Sequence, residues 1–241
     1  MRIAVLSDVH GNLPALEAVL EALKPYDAVW QLGDIVGYGP QPDEVVARLA
    51  AENAIGVRGN HDSAAIGELD TDAFNDDAKA AVEWTAEVIT VETQRWLAAL
   101  PLRSVDEQFT LVHGSPRDPT WEYVYSSGIA RANLEAFATQ HCLVGHTHVP
   151  LVFREKPTGG VEGIVAKADA TMPLNGARLI VNPGSVGQPR DGDPRAAWLE
   201  LDLPSGLARF ERVPYDIART QAEIRERVLP ETLAERLSHG A

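Results

Sequence analysis

Residues 2–12 read Arg-Ile-Ala-Val-Leu-Ser-Asp-Val-His-Gly-Asn, and this stretch decides the fold. It begins with a short apolar run, which is typical of a strand that is buried on both faces of a sheet. Asn12 and Pro14 then mark the start of a helix, because asparagine can cap a helix and proline fits its first turn. The chain therefore opens with a strand, a polar loop that contains Asp8 and His10, and a helix.

The same order of strand, loop and helix recurs further along the chain. Residues 28–32 and 55–57 are predicted strands, and residues 42–51 place apolar side chains at helical spacing. Residues 79–97 are predicted to form one helix. The tract 63–77 that precedes it is rich in acidic residues and poor in large apolar ones, which indicates an exposed loop or a lid.

The C-terminal third changes character. Its predicted strands are separated by turns such as Gly159-Gly160, which favours antiparallel hairpins, and a terminal helix follows that carries Ile217, Ile224 and Val228. Beyond residue 100 the predicted strands are 109–112, 142–144, 151–155, 163–167, 177–181, 196–201 and 207–213, with a helix at 129–139. We therefore predict an α/β fold, a four-layer αββα sandwich of two mixed β-sheets flanked by helices, in a single domain over residues 1–241.

The composition excludes several classes of function. The formal net charge is −14, and so acidic a chain would repel the phosphate backbone of a nucleic acid polymer. The one cysteine, Cys142, cannot form an internal disulfide, and the first residues lack the regions of a signal peptide. No apolar run reaches the roughly 18–20 residues that span a bilayer. We therefore expect a cytoplasmic protein that binds neither nucleic acid polymers nor membranes.

Five loops that each follow a predicted strand contain side chains able to bind metal ions. The carboxyl ends of strands meet at one edge of an open sheet, where side chains from distant parts of the chain converge. Residues two apart in extended backbone project to the same side, so Asp8 with His10, and His146 with His148, could each bind one ion. The candidate metal ligands are Asp8, His10, Asp34, Asn60, His113, His146 and His148.

This set contains two carboxylates, one carboxamide and four imidazoles. Such a mixture of oxygen and nitrogen favours manganese, iron, zinc, cobalt or nickel, whereas magnesium and calcium prefer oxygen ligands. We expect two divalent metal ions, with Mn²⁺ as the first choice. Asp34 is the candidate bridge, because a carboxylate between two ions can contact both at a spacing of about 3.5–4 Å.

Two bound ions would form a positive pocket in an acidic protein and would attract a phosphate group. They would lower the pKa of a shared water, so that hydroxide attacks phosphorus in line, and would stabilise the charge on the phosphoryl oxygens. His61, next to Asn60, could protonate the leaving alkoxide as a general acid or donate a hydrogen bond to a phosphate oxygen.

Each motif also has an ordinary structural explanation. An isolated Asp-x-His is usually a surface loop, and Gly33-Asp34 could be a simple turn. His146 and His148 could be one core histidine and one exposed histidine. Five such loops in this order are an improbable coincidence, and the combination favours the two-metal interpretation.

The sequence resembles the calcineurin-like metallophosphoesterase superfamily, whose motifs run D-x-H, G-D, G-N-H-[DE], H and G-H-x-H. These motifs stand here as Asp8-Val9-His10, Gly33-Asp34, Gly59-Asn60-His61-Asp62, His113 and Gly145-His146-Thr147-His148. Residues 182–193, Asn-Pro-Gly-Ser-Val-Gly-Gln-Pro-Arg-Asp-Gly-Asp, also resemble the small bacterial and archaeal phosphodiesterase branch.

The resemblance implies a role for each matching residue. His61 corresponds to the catalytic histidine of the family, and Asp34 would bridge the two ions. Asp8, His10 and His148 would hold the first ion, and Asn60, His113 and His146 would hold the second.

One difference separates the chain from the protein serine/threonine phosphatases of the superfamily. In those enzymes the G-D motif continues to a further aspartate and an arginine, and here Gly37 and Tyr38 occupy those places. The usual partner of the catalytic histidine and one phosphate-binding arginine are therefore missing, which argues against protein phosphatase activity. Asp62 could take over the catalytic support of His61.

Four further residues are candidates for substrate binding. Arg58 precedes the Gly-Asn-His motif, and Arg190 lies in a loop that could face the pocket, as does Arg117. Each arginine could equally be a solvated surface charge. Asn12 could contact substrate, although capping of the first helix explains it as well.

We therefore predict a metal-dependent phosphoester hydrolase, most specifically a phosphodiesterase or pyrophosphohydrolase that acts on a small phosphorylated substrate such as a nucleotide. The alternatives are a phosphomonoesterase or protein phosphatase, and a non-catalytic interaction module of the same fold. An interaction module should lack ligands or the catalytic histidine, and this chain retains both. Apolar residues of the terminal helix and of residues 81–90 fit either the core or a subunit interface, so a homo-oligomer is left open.

Overall fold

The computed structural model describes residues 1–23 and 25–241. The strands are β1 (Arg2–Leu6), β2 (Ala28–Gln31), β3 (Ile55–Gly56), β4 (Arg103–Asp106), β5 (Phe109–Val112), β6 (His141–Leu143), β7 (Pro150–Glu155), β8 (Val161–Val165), β9 (Thr171–Pro173), β10 (Leu179–Pro183), β11 (Ala196–Asp202) and β12 (Leu207–Val213). The helices are α1 (Leu13–Ala22), α2 (Pro42–Ala51), α3 (Asn60–Ala65), α4 (Asp76–Val88), α5 (Val91–Ala99), α6 (Ser127–Asn133), α7 (Ile217–Glu226) and α8 (Glu231–Glu235). Short 3-10 helices lie at Thr71–Ala73, Leu134–Ala136 and Arg236–Ser238.

The strands form two six-stranded sheets. The first has the order β3-β2-β1-β11-β12-β9, and the second has the order β4-β5-β6-β10-β7-β8. Both sheets are mixed, because β1 pairs parallel with β2 and antiparallel with β11, while β10 pairs parallel with β6 and antiparallel with β7. The predicted α/β sandwich of two mixed sheets flanked by helices is confirmed.

The alternation of side chains along β1 explains why the sheets form layers. Ile3 and Val5 belong to a buried cluster that contains residues of both sheets, such as Phe109 of β5. Ala4 and Leu6 point to the other face and join a cluster with residues of α1 and α2. Because successive residues of a strand face opposite sides, one apolar strand lies in two cores at once.

The first helix begins where the sequence predicts it. The Oδ1 atom of Asn12 accepts a hydrogen bond from the amide of Ala15 at 3.2 Å, and Pro14 lies in the first turn. Such a cap stabilises a helix by about 1 kcal/mol. Leu16 and Val19 are fully buried against the first sheet.

Two predictions in the first half need correction. The tract 63–77 is not all exposed, because Ser63–Ala65 are buried as the last turn of α3, and only the residues that follow are mainly exposed or half-buried. The single helix predicted at 79–97 is two helices, α4 and α5. Thr90 starts the second one, since its Oγ1 accepts a hydrogen bond from the amide of Thr93 at 3.3 Å.

Beyond residue 100 the structure differs from the prediction in several places. The terminal helix ends at Glu226, so Val228 lies beyond α7 with a positive φ of 57° and 89 % of its surface exposed. The strands β4 and β9 are not in the prediction, because both are short edge strands without an apolar run. The hairpins of the C-terminal third suggest a second sheet, but three of their strands, β9, β11 and β12, belong to the first sheet. Among residues 1–23 and 25–241, no helix combines the length and apolar character needed to cross a membrane.

Candidate metal centre

The seven predicted ligands lie together, each in a loop or turn that follows a strand. Asp8 and His10 follow β1, Asp34 follows β2, and Asn60 begins α3 directly after β3. The second sheet contributes the loops after β5 and β6, with the remaining ligands His113, His146 and His148. The parallel parts of both sheets therefore direct their carboxyl ends to one place, as open sheets do.

The first group of ligand atoms comes from Asp8, His10, Asp34 and His148, all buried, with one candidate atom of each within 4.8 Å of the others. The Nε2 atoms of His10 and His148 lie 3.2 Å apart. Asp8 Oδ1 lies 3.3 Å from His148 Nε2, and Asp34 Oδ2 lies 3.7 Å from His10 Nε2. These side chains can surround one cation.

The second group comes from Asp34, His113 and His146. His113 Nε2 lies 3.2 Å from Asp34 Oδ2 and 3.0 Å from His146 Nδ1. Asn60 joins them, because its Oδ1 lies 3.0 Å from the same His113 nitrogen. The Asp34 carboxylate therefore belongs to both groups, and the arrangement indicates a dinuclear site for divalent metal ions.

Backbone carbonyl groups fix which nitrogen three of the histidine rings direct into the site. His10 Nδ1 lies 3.1 Å from the carbonyl oxygen of Val36, His113 Nδ1 lies 2.8 Å from that of Leu32, and His148 Nδ1 lies 2.6 Å from that of Gln188. A carbonyl oxygen only accepts, so each Nδ1 is inferred to donate and each Nε2 to face the site. Two unprotonated Nε2 atoms as close as those of His10 and His148 repel each other unless a cation lies against both. The residues therefore fit a divalent cation.

The backbone of the ligand loops is in a conformation that most residues avoid. Asp8, His10, Asp34, His146 and His148 have positive φ values of 53°, 47°, 53°, 67° and 59°. A non-glycine residue in this left-handed region costs on the order of 1–3 kcal/mol, and such residues cluster at functional sites. The rest of the fold therefore stabilises a ligand geometry that is locally unfavourable.

One glycine allows the two strand-end loops to approach each other. A Cβ atom added to Gly59 would lie 2.1 Å from Asp34 Oδ1, closer than any real contact. That same oxygen accepts a hydrogen bond from the amide of His61 at 2.9 Å. The shared carboxylate is thus oriented by the start of α3.

Asp34 and His113 each shift the pKa of the other toward the charged form. Burial acts to raise the pKa of Asp34, but His113 and His61 outweigh it and lower that pKa well below its usual value. Burial acts to lower the pKa of His113, but the carboxylate of Asp34 raises it to about 9. Burial lowers the pKa values of His10, His146 and His148 well below the usual range. These three rings are neutral at pH 7, which is the form that binds a metal ion.

His61 lies beside the ligands without belonging to either group. Its ring centroid is 4.9 Å from that of His10 and 4.4 Å from that of Tyr38, and its Nδ1 is buried with no hydrogen-bond partner. Burial lowers the pKa of His61 to about 4, so the ring is neutral at pH 7 in the free protein. Gly37 lies against it, since a Cβ atom there would be 2.5 Å from His61 Nδ1.

A cavity of about 80 Å³ opens over the ligands and has aromatic walls. Tyr123 stacks on His146 with 3.8 Å between the ring centroids, and Phe74 contacts the rings of His61 and Trp121 at 4.9 and 5.2 Å. Sequence reasoning missed these aromatic residues. No motif marks them, and only the aromatic pair at 121 and 123 in the loop after His113 offers a signal.

Comparison with known proteins agrees with this geometry. Residues 1–203 match the family described as the calcineurin-like phosphoesterase superfamily domain. The chain belongs to this superfamily. The resemblance predicted from the motifs is confirmed, and the protein is a metal-dependent phosphoester hydrolase.

Several superfamily relatives are similar over nearly their whole length. A protein of Methanocaldococcus jannaschii is 36 % identical over 99 % of this chain and 98 % of its own. The phosphodiesterase YfcE of Escherichia coli K12 is 29 % identical over 86 % of this chain and 92 % of its own. The crystal structure of a metallophosphoesterase from Sphaerobacter thermophilus superposes with a TM-score of 0.92 and 47 % identity, covering 100 % of this chain and 99 % of that one.

Of the four candidate substrate-binding residues, only Arg190 lines the cavity. Arg58 pairs with Glu68, 2.6 Å from Nη2 to Oε2, and does not line it. Both polar side-chain atoms of Asn12 serve the fold, since Oδ1 caps α1 and Nδ2 donates to the carbonyl oxygen of Gly187 at 2.9 Å. Arg117 pairs with Glu122 at the surface.

Asp62, the candidate support for His61, forms its hydrogen bonds with backbone amides, and among the described residues none joins it to the His61 ring. Its Oδ1 accepts hydrogen bonds from the amides of Ile35 and Val36 at 2.8 and 3.0 Å. Its Oδ2 accepts one from the amide of Gly59 at 3.0 Å. This buried carboxylate therefore joins the loop after β2 to the start of α3.

Proposed function

We propose that this chain hydrolyses a phosphodiester or phosphoanhydride bond in a small nucleotide-like substrate, with two divalent cations of which Mn²⁺ is our first choice. One observation carries the proposal, the shared position of Asp34 between two ligand groups. Its Oδ2 lies 3.2 Å from His113 Nε2 and 3.7 Å from His10 Nε2. Two-metal phosphoesterases place a ligand of this kind between their ions.

The two ligand groups suggest how the cations are divided. In the proposed assignment Asp34 would belong to both cation sites. The other six ligands would be divided equally between the two sites. Bound there, the cations supply a strong nucleophile from water at neutral pH and offset negative charge on the phosphoryl oxygens. Asp8, His10 and His148 hold one cation, and Asn60, His113 and His146 hold the other.

His61 is the proposed proton donor to the leaving group. Water loses one proton to solvent as its oxygen bonds to phosphorus, the bond from phosphorus to the leaving oxygen breaks, and that oxygen takes a proton from His61. The pKa of about 4 in the free protein means that the negative charge of bound substrate must raise it for His61 to act as an acid. A neutral His61 would instead donate a hydrogen bond to a phosphate oxygen.

The cavity supports a small substrate with a planar organic group. The cavity is small, with a volume of about 80 Å³. The rings of Phe74, Trp121 and Tyr123 in its wall offer faces on which a base can stack. The net charge of −14 opposes the binding of a nucleic acid polymer. Similarity to the phosphodiesterase YfcE supports a preference for diesters over monoesters.

A panel of substrates tests this proposal. Metal-stripped protein is assayed with bis-p-nitrophenyl phosphate, p-nitrophenyl phosphate and a phosphopeptide, with Mn²⁺, Ni²⁺ or Zn²⁺ added back. We expect Mn²⁺ to restore cleavage of the diester in preference to both monoesters. A strong preference for the phosphopeptide would overturn the diesterase assignment, and failure of folded, metal-loaded protein to cleave any of the three would overturn the phosphodiester part of the proposal.

A further inference from the structure

Two arginines from distant parts of the chain meet beside the metal centre. Arg190 follows β10, and its Nη2 donates to Gln188 Oε1 at 2.7 Å. Arg236 begins the 3-10 helix after α8, and its Nη1 donates to the same oxygen at 3.4 Å. One amide oxygen therefore brings two guanidinium groups together.

Among the described residues, neither guanidinium has a carboxylate partner. In the part of the chain that the structure describes, no ion pair joins Arg190 or Arg236 to an acidic residue, and Arg190 Nε is buried without a hydrogen-bond partner. The buried Arg212, by contrast, pairs with Asp191. The carboxylate of Asp77 acts to raise the pKa of Arg236 but lies beyond ion-pair distance from it. Asp77 Oδ2 instead accepts a hydrogen bond from Thr232 at 2.6 Å.

Two adjacent positive charges favour the binding of an anion between them. Burial and the neighbouring Arg190 both lower the pKa of Arg236, which is a measure of how unfavourable its charge is in this position. The planar fork of a guanidinium matches the oxygens of a phosphate, and two adjacent forks can share one phosphate. The chain has 35 acidic and 21 basic residues, so a positive pair beside the cavity contrasts with the negative charge of the protein as a whole.

The fold fixes the position of both arginines. Leu233 and Leu237, on either side of Arg236, are buried in a cluster that includes Tyr38. Arg190 lines the cavity together with His61 and His148, and its amide donates to the carbonyl oxygen of His148 at 3.3 Å. An anion bound to both guanidiniums would therefore lie at the rim of the cavity, next to the reacting phosphate.

We propose that Arg190 and Arg236 form a subsite for a second phosphate group of the substrate. The proposal rests on the proposed function and narrows its substrate class to phosphoanhydrides and phosphorylated nucleotides, which carry a further phosphate near the bond that breaks. Arg236 lies outside residues 1–203, the part that matches the superfamily. The C-terminal segment would thus supply a specificity determinant of its own.

Binding of pyrophosphate and phosphate tests the subsite without depending on hydrolysis. Affinities of inorganic pyrophosphate and inorganic phosphate are measured by calorimetry at a fixed free Mn²⁺ concentration for wild type, Arg236→Gln and Arg225→Gln. Arg225 is the matched control, because it is exposed on α7 and pairs with Glu231, and its loss changes the charge equally. We expect Arg236→Gln to weaken pyrophosphate binding by about tenfold, the effect of losing one charge-assisted contact, and to leave phosphate binding unchanged.

The outcomes separate this inference from the proposed function. Equal losses for both anions, or no loss beyond that of Arg225→Gln, would overturn the subsite. If Arg236→Gln does not fold, Arg236→Lys keeps the charge but not the fork, and the same selective loss is required of it. Selective binding of pyrophosphate by a wild type that cleaves neither phosphodiesters nor phosphoanhydrides would support the subsite while contradicting the proposed hydrolysis.

Discussion

The Nε2 atoms of His10 and His148 lie 3.2 Å apart, although the residues are 138 positions apart in the chain. Each ring directs its Nδ1 to a backbone carbonyl oxygen, of Val36 and Gln188 respectively. Two nitrogens with their lone pairs directed at each other are unfavourable in a buried site and become favourable when a cation binds both. This relationship explains why the folded chain should depend on metal ions as well as use them.

Removal of metal should therefore lower the stability of the protein. A ligand at 100 times its Kd adds about 2.7 kcal/mol to the free energy of unfolding. For a chain of this size, that corresponds to a fall of about 5–10 °C in Tm on chelation. Calorimetry of the chelated and Mn²⁺-reloaded protein measures the difference. Identical melting temperatures would show that the ligand groups do not bind metal in the folded state.

Replacement of His61 by Asn should reduce activity while leaving both cations bound. His61 lies outside the two ligand groups, so metal content should not change. Loss of a general acid costs about 10²–10⁴-fold in rate, and the loss should be larger for a poor leaving group than for a good one. Comparing kcat for phenyl and p-nitrophenyl diesters measures this. An equal loss for both esters would contradict proton donation and favour a hydrogen bond from His61 to phosphate.

Gly59→Ala should damage the metal centre through a single added atom. Gly59 has an ordinary extended backbone, with φ of −91°, so the effect comes from the clash with Asp34 and not from backbone strain. We expect a loss of at least about 2 kcal/mol in the free energy of unfolding, together with loss of metal. Gly128→Ala is the matched control, because its Cβ atom would meet nothing closer than 4.0 Å. Equal behaviour of the two variants in denaturant titrations would contradict the close packing described for Gly59.

His141 should make stability depend on pH independently of the metal ligands. It is fully buried, burial lowers its pKa, and its Nε2 donates to the carbonyl oxygen of Leu174 at 2.8 Å. Folding therefore favours the neutral ring. The stabilisation is complete above the unfolded pKa of about 6.5 and is lost as the pH falls through it, with a slope of at most about 1.4 kcal/mol per pH unit.

The variant His141→Gln isolates this contribution. Urea titrations between pH 7 and pH 5, with wild type and variant both free of metal, give the two slopes. We expect the variant to lose less stability than wild type over this range. A variant with the same or a steeper slope would show that His141 is not held neutral by the fold.

The convergence of the candidate ligands could be predicted from sequence because it depends on one simple rule. Each ligand loop follows a strand, and the carboxyl ends of parallel strands meet at one edge of a sheet. The continuous apolar run of β1 likewise predicts a strand that is buried on both faces, because residues such as Val5 and Leu6 leave neither face polar. These features are local in sequence, so their geometric consequences can be derived without knowing the tertiary structure.

Other features depend on contacts that no local pattern encodes. The strands β11 and β12 join the first sheet through pairing of β11 with β1, some 190 residues earlier in the chain. Asp62 looks like a catalytic residue because of its place in a motif, yet its oxygens accept hydrogen bonds from three backbone amides. Phe74 lines the cavity from a segment without any motif, and Arg236 reaches Gln188 from another such segment. Side-chain direction and long-range pairing, and not residue type, decide these positions.

The shared position of Asp34 is the central claim, and the metal content of Asp34→Asn tests it most directly. Elemental analysis of wild type and variant after Mn²⁺ loading is combined with hydrolysis of bis-p-nitrophenyl phosphate. We predict two metal ions for each wild-type chain, with at most one in the variant and no measurable hydrolysis by it. A variant that binds two ions and cleaves the diester at the wild-type rate would contradict the claim that this carboxylate joins the two halves of the site.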